Sequence, residues 1–139
     1  MAKKIFVVDD EKNIRDIVRS YLEKEGFNVS VFENGESALE EYLRSAPDML
    51  VIDIMMPGMS GLELCNEIRK HANTPIIIVS ARDEEIDRIL GIEMGADDYI
   101  VKPLEMPEVI ARVRAVFRRI APDDAPEKLS FDNLVIDKQ

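Results

Sequence analysis

Two hydrophobic periods take turns along the chain. Short apolar runs, "KKIFVV", "NVSVFE", "MLVIDI", "PIIIVS" and "DYIVK", read as five strands. Between them, apolar residues recur at helical spacing. Ile14, Ile17, Val18, Tyr21 and Leu22 predict a first helix, with Gly26 just past its end. Leu39, Tyr42 and Leu43 predict a second, beginning after "ENGES". Leu62, Cys65 and Ile68 predict a third, with Ser60 as its cap. Ile86, Ile89 and Leu90 predict a fourth, ended by Gly95. Val109, Ile110, Val113, Val116, Phe117 and Ile120 predict a fifth, with Pro107 near its first turn. Five strand-then-helix repeats imply an α/β fold, a parallel sheet covered by helices on both faces. The nearly all-apolar third and fourth strands belong at the centre, and the more polar second and fifth toward the edges.

After Ile120 the texture changes. "APDDAPEK", residues 121–128, is rich in proline and acid and reads as a linker. "LSFDNLVIDKQ", residues 129–139, is too short to fold alone, yet Leu129, Phe131, Leu134 and Ile136 make it apolar for a plain tail. The expected organisation is one domain over 1–120, a linker, and the opening strand of a second domain. A floppy terminus is the alternative.

Composition narrows the function. The 139 residues suffice for one compact domain with its own core, and 46% hydrophobic with 33% charged is an ordinary globular mixture. A net charge of −10 repels nucleic acid and anionic membrane, which argues against DNA binding by these residues. The single cysteine, Cys65, excludes an internal disulfide and sits at a helical apolar position, so it reads as buried filler. No run is long enough to cross a bilayer and the start lacks a signal-peptide pattern, which points to the cytoplasm.

One residue disturbs the apolar pattern. Asp53 closes the third strand, and a carboxylate inside such a run is costly unless something solvates it or uses it. In a parallel sheet every strand points its C-terminal end at one edge, where ligands bind in open α/β folds. The first strand ends in Asp9 and Asp10, followed by Glu11. The third ends at Asp53, the fourth at Ser80, and the fifth at Lys102, followed by Pro103. Each has a local reading as well: a turn acid, a helix-starting hydroxyl, a solvated lysine. Together they form one constellation. Clustered carboxylates need protons or a cation, and hard oxygen ligands with room for water suit Mg²⁺ better than zinc, since neither His71 nor Cys65 is placed to help. A carboxylate beside Mg²⁺ and an ammonium is poised as a nucleophile toward phosphorus. Ser80 is placed to donate a hydrogen bond to a phosphoryl oxygen.

From about Lys3 to Ile120 the chain resembles the receiver domain of two-component response regulators. "FVVDDE", "VIDIMMPGMSG", "VSA" and "GADDYIVKP" carry the match, in the right order. The resemblance implies a flavodoxin-like (βα)5 three-layer sandwich with strand order 2-1-3-4-5. It implies Asp53 as phosphoacceptor, served by a sensor histidine kinase. Asp10 and Asp53 would hold Mg²⁺ with the backbone carbonyl of Met55, and Asp9 would act through water. Lys102 would bind the phosphoryl group, with a cis bond to Pro103. Ser80 and Tyr99 would be the switch pair, Ser80 moving onto the phosphoryl group and Tyr99 turning inward behind it. Such a domain is a signalling acceptor, not an enzyme acting on outside substrates.

"GADDYIVKP" followed by "PEVIARVRAVFRR" is similar to the winged-helix, OmpR/PhoB-like class of DNA-binding regulators. That likeness implies a two-fold dimer face on the fourth helix, fifth strand and fifth helix. Arg88 would pair with Glu108, Asp98 with Arg112, and Asp97 with Arg119. A solvated face is the plain alternative for these charges. "LSFDNLVID" resembles the opening of the winged-helix module, so DNA contact would belong to the missing C-terminal part. Leu104 stands where phenylalanine is frequent, which implies a packing change only. Met55 and Arg82 stand where the family tunes dephosphorylation, and Met55 cannot orient a water by hydrogen bonding, so slow self-hydrolysis is expected.

Three rivals share parts of this pattern. A flavin module would need a hydroxyl- and glycine-rich loop where this chain has "DDEKN". An aspartyl-nucleophile phosphatase would need a second aspartate at position 55, which is Met. A stand-alone receiver would not need the apolar tail.

Overall fold

The computed structural model describes residues 2–81, 93 and 95–120. Five strands form one parallel sheet: β1 (Lys4–Val8), β2 (Asn28–Phe32), β3 (Met49–Asp53), β4 (Ile76–Ser80) and β5 (Asp98–Val101). Their order is β2-β1-β3-β4-β5. Helices α1 (Lys12–Lys24), α2 (Gly35–Arg44) and α3 (Gly61–Arg69) follow the first three strands, and a long helix, Met106–Ile120, follows β5. The predicted fourth helix, the linker 121–128 and the segment 129–139 fall largely or wholly outside the described residues. β2 and β5 form the sheet edges, as their mixed composition predicts.

Side-chain alternation divides the interior into two cores. Phe6, Val8, Leu50, Ile52, Ile76 and Ile78 pack with Ala38, Tyr42, Leu64, Cys65 and Ile68 on the α2/α3 face. Ile5, Val7, Met49, Val51, Ile77, Val79 and Ile100 pack with Val18, Leu22, Val109, Val113 and Val116 on the α1/long-helix face. Burial on both faces explains why β3 and β4 read as continuous apolar runs.

Two helix expectations are adjusted. α2 begins at Gly35, earlier than the apolar positions imply, because the Asn34 side chain accepts a hydrogen bond from the Ser37 N–H at 2.8 Å and caps it. α1 buries only Val18 and Leu22 fully, leaving Ile17 and Tyr21 about half exposed, and Leu43 on α2 is exposed too. The apolar stripe is thus narrower than its residues suggest. α3 follows its signal closely: Ser60 and Glu63 form a reciprocal capping box. Cys65 is buried, and burial raises its thiol pKa, as an inert core residue requires.

Candidate functional site

Strand parity decides which side chains meet at the C-terminal edge. Asp53 falls on the same face as Met49 and Val51, and Asp9 continues the Ile5, Val7 row. Lys102 continues the row of Ile100. All three therefore converge on the α1/long-helix side. The Lys102 ammonium lies 3.3 Å from Asp9 Oδ2 and 3.4 Å from Asp53 Oδ2. It also lies 3.3 Å from Glu11 Oε1. Lys102 itself is anchored by its backbone N–H, which donates to the Ser80 carbonyl at 2.8 Å, and its peptide to Pro103 is cis.

Asp53 is buried, with 4% exposure, although it closes its strand at the C-terminal edge of the sheet. The reason lies in its neighbours. Asp9, Ile14, Val18, Val79 and Leu104 close around it, leaving a void of about 10 Å³ beneath the carboxylates. Leu104, the departure noted in the sequence, supplies part of this apolar wall. The Met55 N–H donates to Asp53 Oδ1 at 3.2 Å, while the Met55 side chain is half exposed.

The electrostatics follow from burial and from an imbalance of charge. Burial, with the Asp9 charge adding to it, pushes the Asp53 pKa up from 3.8 to about 6, against the pull of Lys102 and the Met55 N–H. Burial raises Asp9 as well, offset by the Glu11 N–H at 2.9 Å and by Lys102. Burial also works against the Lys102 ammonium, but Asp53 and Asp9 outweigh it and hold its pKa above the ordinary lysine value. One ammonium thus faces three carboxylates and does not neutralise them.

Asp10 completes an oxygen-donor set. One carboxylate oxygen each from Asp9, Asp10 and Asp53 lies within 4.8 Å of the others, Asp10 being the exposed member. Three hard donors, surplus negative charge and an open side fit a small divalent cation such as Mg²⁺.

Backbone close approach fixes where Asp53 sits. A Cβ on Gly61, the first residue of α3, would stand 2.2 Å from the Asp53 carbonyl oxygen. The Gly61 N–H donates to the Ile54 carbonyl at 3.0 Å. Gly58 turns the intervening loop at φ +74°, and the Met59 N–H donates to the Glu36 carboxylate at 3.1 Å.

Ser80 and Tyr99 lie on the opposite parity, toward α2 and α3. Ser80 is fully buried at the end of β4, and Tyr99 is buried in the α2/α3 core. In the β4–β5 register Tyr99 stands opposite Ile78, two residues before Ser80. The two thus share a face on adjacent strands.

Asp97, Asp98, Glu108 and Arg112, all expected at a dimer face, have partners within the chain. Arg112 contacts Asp98 at 3.0 Å and Glu108 at 3.0 Å. Asp97 accepts from the Ile76 N–H at 2.8 Å and contacts Arg69 at 3.4 Å. Arg119 is exposed, and Arg88 and Arg82 lie outside the described residues. Two partners escaped the sequence reading. Arg69 sits at an ordinary last-turn position of α3, and Arg15 donates to the Asp9 carbonyl at 2.8 Å from an ordinary helical position. Neither carries a local signal, because each acts on backbone distant in sequence or across a turn.

Residues 5–114 match the family described as response regulator receiver domain. The chain belongs to this family. The receiver domain is 47% identical over 120 residues to the sensory transduction protein RegX3 of Mycolicibacterium smegmatis, covering 86% of this chain and 53% of that one. It is 45% identical over 121 residues to RegX3 of Mycobacterium tuberculosis, covering 87% and 53%. It spans about half the length of these curated relatives. Among solved structures, the receiver domain of Francisella response regulator 1452 matches with a TM-score of 0.80 at 37% identity, covering 84% of this chain and 98% of that one. The BeF3-activated N-terminal receiver domain of Klebsiella pneumoniae RstA matches with a TM-score of 0.78 at 36% identity, covering 83% and 98%. Among the described residues of this receiver domain, no helix is long and apolar enough to cross a membrane.

Proposed function

We propose that Asp53 accepts a phosphoryl group from a sensor histidine kinase, and that the modification drives a dimerisation switch. The observation that supports this best is the single ammonium of Lys102 shared among carboxylates, beside an oxygen set fit for a divalent cation. Asp10 and Asp53 would hold Mg²⁺ with the Met55 carbonyl, Asp9 assisting through water. Bound Mg²⁺ supplies charge neutralisation at the phosphoryl oxygens. Asp53, with a pKa of about 6, is mostly ionised at neutral pH and able to attack phosphorus. Lys102 orients and neutralises the transferred group. Ser80 then turns toward the phosphoryl group and Tyr99 follows it, because the two share one face of the sheet.

The domain acts as a cytoplasmic, stoichiometric acceptor. It dimerises through β5, the long helix and the predicted fourth helix, with Arg88–Glu108, Asp98–Arg112 and Asp97–Arg119 as cross-chain pairs. Those pairs form by exchanging the contacts that Asp98, Arg112 and Asp97 make within one chain. Output is transcriptional, through a winged-helix DNA-binding part beyond this chain, joined by 121–128 and begun by 129–139. The test is uptake of one phosphoryl group from a small donor with Mg²⁺. Uptake should vanish when the metal is chelated and when Asp53 is replaced.

A further inference from the structure

Lys102 has three N–H donors, and the structure gives it three carboxylate acceptors. Asp9 and Asp53 are buried, while the Glu11 side chain is 62% exposed. These partners are not equivalent. A phosphoryl group on Asp53 brings new acceptor oxygens, and Lys102 must release one present partner to reach them. Releasing Asp9 leaves a buried carboxylate without its cation. Releasing Glu11 returns an exposed carboxylate to water, which costs little.

Glu11 also stands at an unusual place. It is the N-cap residue of α1, with extended backbone, yet its side chain makes no capping hydrogen bond. The first turn of α1 carries no acid either. A carboxylate at this position ordinarily turns back onto the helix N–H groups. Here it reaches across the site to Lys102, 91 positions away in the chain. Backbone contacts hold its base: the Glu11 N–H donates to Asp9 Oδ1, and Arg15 ties down the Asp9 carbonyl.

Resting on the phosphoacceptor reading of Asp53, we propose that Glu11 is a positioning residue, a displaceable third ligand that holds Lys102 at the mouth of the site until a phosphoryl oxygen replaces it. In the transfer, an Asp53 carboxylate oxygen forms a bond to the donor phosphorus. The bond from phosphorus to the donor's leaving atom breaks, a ring nitrogen in a phosphohistidine or the acyl oxygen in acetyl phosphate, and its electron pair departs with that atom. Lys102 moves from Glu11 to the transferred oxygens during this step. Glu11 therefore restrains the reaction, and removing its contact accelerates it.

The experiment measures phosphorylation rates by intact mass, using acetyl phosphate and Mg²⁺, for wild type, Glu11→Gln and Glu11→Asp. Glu11→Gln removes the charge. Glu11→Asp keeps the charge but withdraws it by one methylene and favours the helix cap. Both should speed uptake by roughly two- to fivefold, the scale of one exposed ion pair. Melting temperatures at or above that of the wild type are expected alongside the faster uptake, and a lowered one in both variants would ascribe it to a loosened α1 and overturn the proposal. If Glu11→Asp behaves like wild type while Glu11→Gln is faster, Glu11 acts only by repelling the donor, and the proposal fails. If both variants are slower or unchanged, it fails as well. A wild-type domain that takes up no phosphate overturns the Asp53 reading and this one with it. A phosphorylated wild type with unresponsive variants overturns this one alone.

Discussion

Asp53 sits where its charge is poorly offset, and this has a measurable signature. Its pKa of about 6 stands above the ordinary 3.8 because burial and Asp9 favour the neutral form. A raised folded-state pKa stabilises below the unfolded value and loses that contribution as pH climbs through the folded one. Asp53→Asn, neutral at every pH, should therefore gain stability over wild type between about pH 4 and pH 8. The gain should reach roughly 2–3 kcal/mol in metal-free buffer. Denaturant titrations at several pH values check it, and a pH-independent difference would contradict the account. At this scale the sequence was informative about identity but not about environment. An aspartate at the end of "MLVID" announces itself against its apolar run. That it is buried rather than open depends on Ile14, Val18 and Leu104, which reach it from α1 and from the loop after β5.

At the scale of elements, α3 is tied directly to the site. Its first residue, Gly61, lies against the Asp53 carbonyl so closely that an added Cβ would overlap it. Gly61→Ala should cost about 3 kcal/mol and displace the end of β3, slowing phosphoryl uptake. Thermal melts and mass measurements read the two effects, and a stable, fully active variant would refute the close approach. The elements were largely legible in the sequence, because period-2 and period-3.6 patterns are local. The exceptions have physical causes. α2 starts early because the Asn34 side chain caps it, a signal hidden within "ENGES". The α1 stripe overreaches because Ile17 and Tyr21 continue the helical spacing yet stay about half exposed. Ser80 and Tyr99 could be placed on one face only once the β4–β5 register was known.

At the scale of the whole molecule, charge pairing sets the question. Asp98, Arg112 and Glu108 form a chain-internal cluster on β5 and the long helix. Exposed pairs of this kind contribute little stability and are free to change partners. The phosphorylated domain should therefore dimerise, and Arg112→Glu should remain monomeric while taking up phosphate at the wild-type rate. Sedimentation of both proteins decides this, and an Arg112→Glu variant that dimerises normally would sink the proposed face. Long-range partners such as Arg69 with Asp97 were not legible, since helix position alone does not report which distant backbone a side chain meets.

The central claim is that Asp53 is the acceptor. Its most direct test is intact mass after incubation with Mg²⁺ and acetyl phosphate, run side by side for wild type and Asp53→Asn. The account predicts the mass of one phosphoryl group added to the wild type and none to the variant. Equal uptake by both proteins, or none by a folded, metal-loaded wild type, would contradict it.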